Sequence, residues 1–225
     1  NLGYDQKTQV DFSAIANDSA RTHMLPVQRF FHLTSLAHIY LQEGRLEESL
    51  TTYREAIDLC RRARHAEGLA QSMRMLAEVL FTIGRELEAL PHLQEAAQLF
   101  AQLEDHEAEA LVRRQAAVVL ERTGSPEAVA AWKRVQTLVR ASGNAQEELA
   151  ALEGIARATR AAAGSTDEVV RLFDEALAFA ARSGDRGRET VLHNTLGVLR
   201  WERGDYDDAL AHYEAALALL RDAGD

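Results

Sequence analysis

The chain has 225 residues, of which 47% are hydrophobic and 27% charged, and its formal charge is −10. That acidic balance excludes a general nucleic-acid or anionic-membrane surface, because phosphate binding needs clustered Lys and Arg, and no run of about 18 apolar residues exists to span a bilayer. The single cysteine, Cys60, excludes an intrachain disulfide and a cysteine-built zinc site, and reads as a small buried apolar residue.

Abundant Ala, only three prolines (Pro26, Pro91 and Pro126) and short, isolated β-branched runs favour helix throughout. The opening residues, NLGYDQKTQV, lack an initiator Met and the basic-then-apolar order of a signal peptide. The chain therefore reads as a piece of a larger protein, most simply cytoplasmic. Residues 1–25 read as a partial half repeat, since VDFSAIANDSARTH places Phe12 and Ile15 much as TYREAIDLCRRARH places Tyr53 and Ala56. Five helical hairpins are predicted after it, over 26–64, 66–103, 106–141, 145–183 and 186–223.

Each hairpin is centred on a glycine. Gly44, Gly84, Gly124, Gly164 and Gly204 fall 40 residues apart, which for four preset hits has a chance probability on the order of 10⁻⁵. Apolar residues at i, i+3, i+4 and i+7 on both sides give two amphipathic helices, and the glycine supplies the left-handed conformation that ends the first. A small residue recurs upstream (Ala37, Ala77, Ala117, Ala156, Gly197) and a small or short one downstream (Ser49, Ala89, Ala128, Val169, Ala209). A large one follows four later: Tyr53, Leu93, Trp132, Phe173, Tyr213. The small residues let the helices cross closely, and the large one fills the gap toward the next hairpin. Copy three is one residue shorter after its glycine, and copy four one longer before it.

Start signals agree with this division. Ser125-Pro126 predicts Pro at the first helical position, Ser165 with Glu168 has capping-box spacing, and Asp205 is placed to cap the last helix. Pro91 fits worse, because inside a helix it should remove a hydrogen bond and bend the axis. A hairpin of this size cannot bury its apolar stripe alone, so the copies are expected to stack into one solenoid domain spanning 1–225.

The pattern of small-x-x-large before the glycine, then Ala, an aromatic and another Ala after it, resembles the tetratricopeptide repeat, and LGVLRWERGDYDDALAHYEAALAL is close to its consensus. The 40-residue period is similar to the longer variant in kinesin light chains, Pins-type proteins and bacterial signalling proteins. The resemblance implies an all-α fold, a right-handed α-solenoid of stacked helix-turn-helix repeats whose first helices line a concave groove that grips a peptide or partner helix. Groove positions in that family fall ten, six and three residues before the central glycine. Here they are Thr34, His38 and Leu41; Arg74, Glu78 and Phe81; Arg114, Val118 and Glu121; and Asn194, Val198 and Trp201. In copy four the extra residue moves the set to Glu153, Arg157 and Arg160. Arg74, Arg114, Arg157 and Arg160 thus occupy successive groove positions of an acidic chain, which suits an acidic partner segment. The rival reading is that Glu78, Glu121 and Glu153 pair with these arginines as a solvated inner surface. Arg74 and Asn194 do not reproduce the family's clamp for C-terminal chaperone tails.

No catalytic constellation is present. H-E-x-x-H, G-x-x-x-x-G-K, G-x-S-x-G and C-x-x-C are absent, and no two of the eight histidines are spaced i, i+3 or i, i+4. Trp132 reads as packing and Trp201 as groove lining, and Asp207-Asp208 as first-turn acids that complement the helix dipole. The expectation is a non-catalytic protein-binding scaffold without cofactor or metal. The alternative is a sensor or regulatory module of a larger bacterial signalling protein, joined to an ATPase, a transcription regulator or a caspase-like protease. ALAHYEAALALLRDAGD is apolar on more than one face, so Leu210, Leu217 and Leu220 are expected to meet a further repeat or, by self-association through the C-terminal helix, a second chain. Arg203-Gly204-Asp205 reads as a hairpin turn, since Gly204 is the fifth periodic glycine.

Overall fold

A computed structural model describes residues 26–224, and the expected half repeat over 1–25 lies outside the described residues. Among the described residues the chain is all-α, with ten helices: α1 Pro26–Gln42, α2 Leu46–Ala63, α3 Ala66–Thr82, α4 Glu86–Gln102, α5 His106–Arg122, α6 Ala128–Ser142, α7 Ala145–Ala161, α8 Thr166–Ser183, α9 Arg186–Arg203 and α10 Tyr206–Ala223. Expected as one domain, the chain divides by its contacts into two compact units, residues 1–105 with α1–α4 and residues 106–225 with α5–α10. Within each unit every helix packs on the next.

The two kinds of repeating residue sit where packing requires them. Ala37, Ala77, Ala117 and Ala156 are fully buried at the helix crossings, and Ser49, Ala89, Ala128, Val169 and Ala209 lie opposite them with at most 2% exposure. Serine is tolerated at such a site because Ser49 Oγ donates to the Ala37 carbonyl at 2.8 Å, so its hydroxyl is not orphaned. Tyr53, Leu93, Trp132 and Phe173 are buried between helices, and Tyr213 is half-buried. Beside Trp132 the chain must be glycine: a Cβ on Gly154 of α7 would lie 2.3 Å from the indole Cδ2.

The turns show a finer period than the glycines suggest. Positive φ occurs at Gly44, Arg64, Gly84, Glu104, Gly124, Gly143, Ala163, Gly184, Gly204 and Gly224. A left-handed residue thus follows every helix, about every 20 positions, and the 40-residue glycine series marks only alternate turns. In the fourth hairpin the role expected of Gly164 passes to Ala163, at φ 56°. The backbone bonds agree, because Ala163 N donates to the Arg160 carbonyl as Gly44 N does to that of Leu41. Glu153, Arg157 and Arg160 therefore stand ten, six and three residues before the residue that acts as the turn glycine. Left-handed backbone costs an L-residue about 1–2 kcal/mol, against about 0.5–1 kcal/mol of chain entropy when Gly replaces Ala. Ala163→Gly is accordingly expected to raise the urea midpoint slightly at an unchanged m-value, and a lower midpoint would show that the turn is not strained.

Two local expectations need correction. α6 begins at Ala128, so Pro126 precedes the helix in a turn instead of opening it; Ser125 supplies its carbonyl to Ala128 N and its Oγ to Glu127 N. Asp205 stands at the N-cap of α10 but makes no side-chain cap, because Arg203 holds its carboxylate instead. Pro91 lies inside α4, which runs unbroken from Glu86 to Gln102. The Ser165 cap is present, its Oγ accepting from Glu168 N at 3.2 Å. Cys60 is buried, and desolvation pushes its thiol up to about 11, far from nucleophilic use.

Candidate partner-binding surfaces

The expected groove positions all fall on the first helices of their hairpins: Thr34, His38 and Leu41 on α1, Arg74, Glu78 and Phe81 on α3, Arg114, Val118 and Glu121 on α5, Glu153, Arg157 and Arg160 on α7, and Asn194, Val198 and Trp201 on α9. In the 1–105 unit a cleft of about 460 Å³ runs between α1 and α3, with Tyr53 of α2 among its lining residues. Phe30, Phe31, Thr34, His38 and Arg74 also line it. Arg74 is half-buried, and its Nε donates to Gln71 Oε1 at 3.1 Å while Nη2 meets Met75 Sδ at 3.2 Å. No carboxylate pairs with it among the described residues. Burial pushes the Tyr53 phenol up to about 12, with Glu78 adding to the rise and Arg74 opposing it. Glu78 itself is exposed.

The 106–225 unit repeats the arrangement between α7 and α9. There a cleft of about 620 Å³ is lined by Phe173 of α8, by Arg157 and Arg160, and by Val191 and Thr195. Arg114, Arg157 and Arg160 are differently placed from Arg74, because each faces a carboxylate. Arg157 Nε donates to Glu121 Oε1 at 2.7 Å, and Trp132 Nε1 holds the other oxygen of Glu121 at 2.9 Å. Arg160 Nη2 reaches both oxygens of Glu202 at 3.0 Å, and Arg114 Nε lies 3.4 Å from Glu147 Oε2. Glu153 lines the same cleft. It is 7% exposed, takes Arg188 Nη1 on Oε2 at 2.6 Å, and leaves Oε1 without a partner. Burial raises its pKa, while Arg188 and then Arg157 oppose that rise. Asn194, Val198 and Trp201 are exposed along α9, Trp201 at 60%.

Two features escape inspection of single helices. Glu147 and Glu202 complete arginine pairs from other helices, and His193 of α9 meets His212 of α10, Nδ1 to Nδ1, at 3.0 Å. The histidines are 19 residues apart, a hairpin spacing and not a helical one. Desolvation, and then His193, holds His212 below the usual imidazole range; Asp174 and Asp208 oppose this, and Arg200 adds to it. The unfolded chain therefore takes up that proton first as pH falls, so stability present above about pH 6.5 is lost on acidification. The melting temperature is expected to fall between about pH 7.5 and 5.5, and less steeply in His193→Gln. An equal slope in the variant would assign the response elsewhere.

Among the described residues no group of three or more His, Cys, Asp or Glu side chains could hold a metal, and no helix is long and apolar enough to cross a membrane. Stacked helical hairpins with small crossing residues and a large interlocking one define a repeat protein of the α-solenoid class. Residues 29–102 and 147–222 match the family model for the tetratricopeptide repeat, and the chain belongs to that family. Among solved structures, a kinesin light chain-like protein of nearly identical TPR-like repeats from Podospora anserina is 19% identical, with TM-score 0.71 over 90% of this chain and 99% of that one. BtubC from P. vanneervenii is 17% identical, with TM-score 0.70 over 97% of this chain and 92% of its own. The TPR-sensor STAND protein of Pyrococcus horikoshii is 13% identical, with TM-score 0.65 over 94% of this chain and 36% of that one. At these identities the likeness is one of fold. No curated protein matches the sequence significantly.

Proposed function

We propose that this chain is a non-catalytic scaffold that binds a partner segment carrying bulky apolar side chains beside acidic ones, with Arg74 receiving the carboxylate. The observation that supports this reading is the contrast between the two clefts. Each offers an aromatic side chain with arginine beside it, yet Arg157 and Arg160 are engaged by Glu121 and Glu202 while Arg74 has only neutral partners. A guanidinium without an ion pair beside an apolar cleft gains most from an incoming carboxylate. The acidic selectivity inferred for the whole arginine series thus narrows to one residue, and the rival solvated surface describes the 106–225 unit.

Peptides alternating Asp or Glu with Leu or Phe, and Lys-substituted controls, supply the test by fluorescence anisotropy. Arg74→Ala is expected to weaken binding of the acidic set about tenfold or more, the worth of a charged hydrogen bond of about 1.5–3 kcal/mol. Arg160→Ala should change it little. Binding that is indifferent to charge or to Arg74 would overturn the assignment.

A second reading is a sensor or regulatory module in a larger cytoplasmic signalling protein. It draws on a Rap protein solved in complex with competence and sporulation factor, 14% identical with TM-score 0.58, and on the sensor role of the STAND repeats. Self-association through the C-terminal helix accompanies either reading, because Leu210, Leu217 and Leu220 remain 57%, 51% and 37% exposed.

A further inference from the structure

We infer that α10 docks a second copy of this chain, the two α10 helices lying antiparallel about a two-fold axis near mid-helix. This deepens the self-association read above and rests on it, but not on peptide binding in the clefts. Tyr206, Leu210, Tyr213, Leu217 and Leu220 recur at alternating steps of four and three, the spacing of a seam made for another helix. Tyr213 is half-buried against α9, where a Cβ on Gly197 would lie 2.7 Å from its ring, and the other four are the large exposed apolar side chains of α10.

The repeat itself shows what such a stripe is for. The same register in α2 holds Leu46, Leu50, Tyr53, Ile57 and Cys60, and the last four are at most 5% exposed. There α3 packs on α2, and in the second unit α9 packs on α8, where Val170, Phe173 and Ala180 of the same register are buried. Each covering helix follows its neighbour through a short turn and so runs antiparallel to it. A second α10 reproduces that geometry.

Charge selects the same orientation. Beside the seam, on one flank, stand Asp207, Glu214 and Arg221, and neither Asp207 nor Arg221 is ion-paired among the described residues. The opposite flank, Ala209 and Ala216, is buried in its own chain and carries no charge. In a parallel pair the charged flank would face that uncharged side of the partner. In an antiparallel pair Asp207 of each copy meets Arg221 of the other, twice over, and Glu214 faces its own counterpart near the axis.

Sedimentation equilibrium on the whole chain tests this. A reversible dimer is expected, and Leu210→Glu with Leu217→Glu is expected to give monomer at every concentration with unchanged far-UV circular dichroism, since both side chains are exposed. Asp207→Arg or Arg221→Asp alone should weaken the dimer about fivefold or more, by replacing attraction with repulsion at two sites. Together they should restore it, and Glu214→Gln should tighten it. A monomeric wild type, a dimer indifferent to the leucines, or a charge swap that fails to restore association would each overturn the inference. Peptide anisotropy on the leucine double variant keeps this failure distinct from failure of the scaffold reading, because the clefts are untouched.

Discussion

Trp132→Ala lowers the unfolding free energy of the 106–225 unit by about 3–5 kcal/mol, the expected result for emptying a buried aromatic site. Trp132 is 2% exposed, and its indole lies over Gly154 of the adjoining α7, where no side chain is present to relax into the space. The indole N–H also fixes Glu121, which in turn holds Arg157. Truncation therefore removes packing and loosens an ion pair together. Trp132→Phe separates the two, because it keeps most of the ring and loses only the hydrogen bond, worth about 1 kcal/mol. Urea denaturation of the three proteins checks this ordering. A Trp132→Ala loss no greater than that of Trp132→Phe would mean that the site collapses around the vacancy.

Arg188→Ala is the second large effect, about 1–3 kcal/mol at neutral pH from leaving a buried carboxylate without its nearest cation. Glu153 keeps Arg157 at 3.6 Å but loses the 2.6 Å bond from Arg188, and its Oε1 is already unpartnered. The pH dependence has a definite sign. The folded pKa of Glu153 is raised by burial, so the folded state binds a proton more readily than the unfolded one. The carboxylate thus costs stability above its folded pKa and not below its unfolded one. Removing Arg188 takes away the cation that opposes this rise. The variant should be penalised more at about pH 7 than at about pH 5, and Glu153→Gln in the same background should recover much of the loss. Equal penalties at both pH values would place the cost in Arg188 packing instead of charge.

Much of the fold was legible because it is written twice, once in glycine spacing and again in the small and large residues. Ala37 and Ser49, or Ala77 and Ala89, could be paired across a hairpin without coordinates, and all four are fully buried. What escaped was identity at the turn. A left-handed Ala163, Glu104 or Arg64 leaves no mark in composition, because none of the three is a residue type that favours that conformation. The arginines were placed on the right helices, but their partners were not foreseen beyond Glu121 and Glu153. Arg160 and Glu202 are 42 residues apart, and such a pair forms only when neighbouring hairpins stack in register. Arg74 could be singled out only after the other arginines had been matched to their carboxylates.

The succession of left-handed turn residues also bears on how such a chain can change length. Spacings contract to 19 between Gly124 and Gly143 and expand to 21 between Ala163 and Gly184. One lost residue and one gained residue have thus been absorbed without shifting the hairpins that follow. Within a helix the same change would rotate every later side chain by about 100°, carrying Glu153 out of its buried site or Arg157 away from Glu121. Insertions and deletions are therefore tolerable at the turns and ruinous between them, and an ancestor of this array could lengthen safely by whole hairpins or trim itself only at the corners.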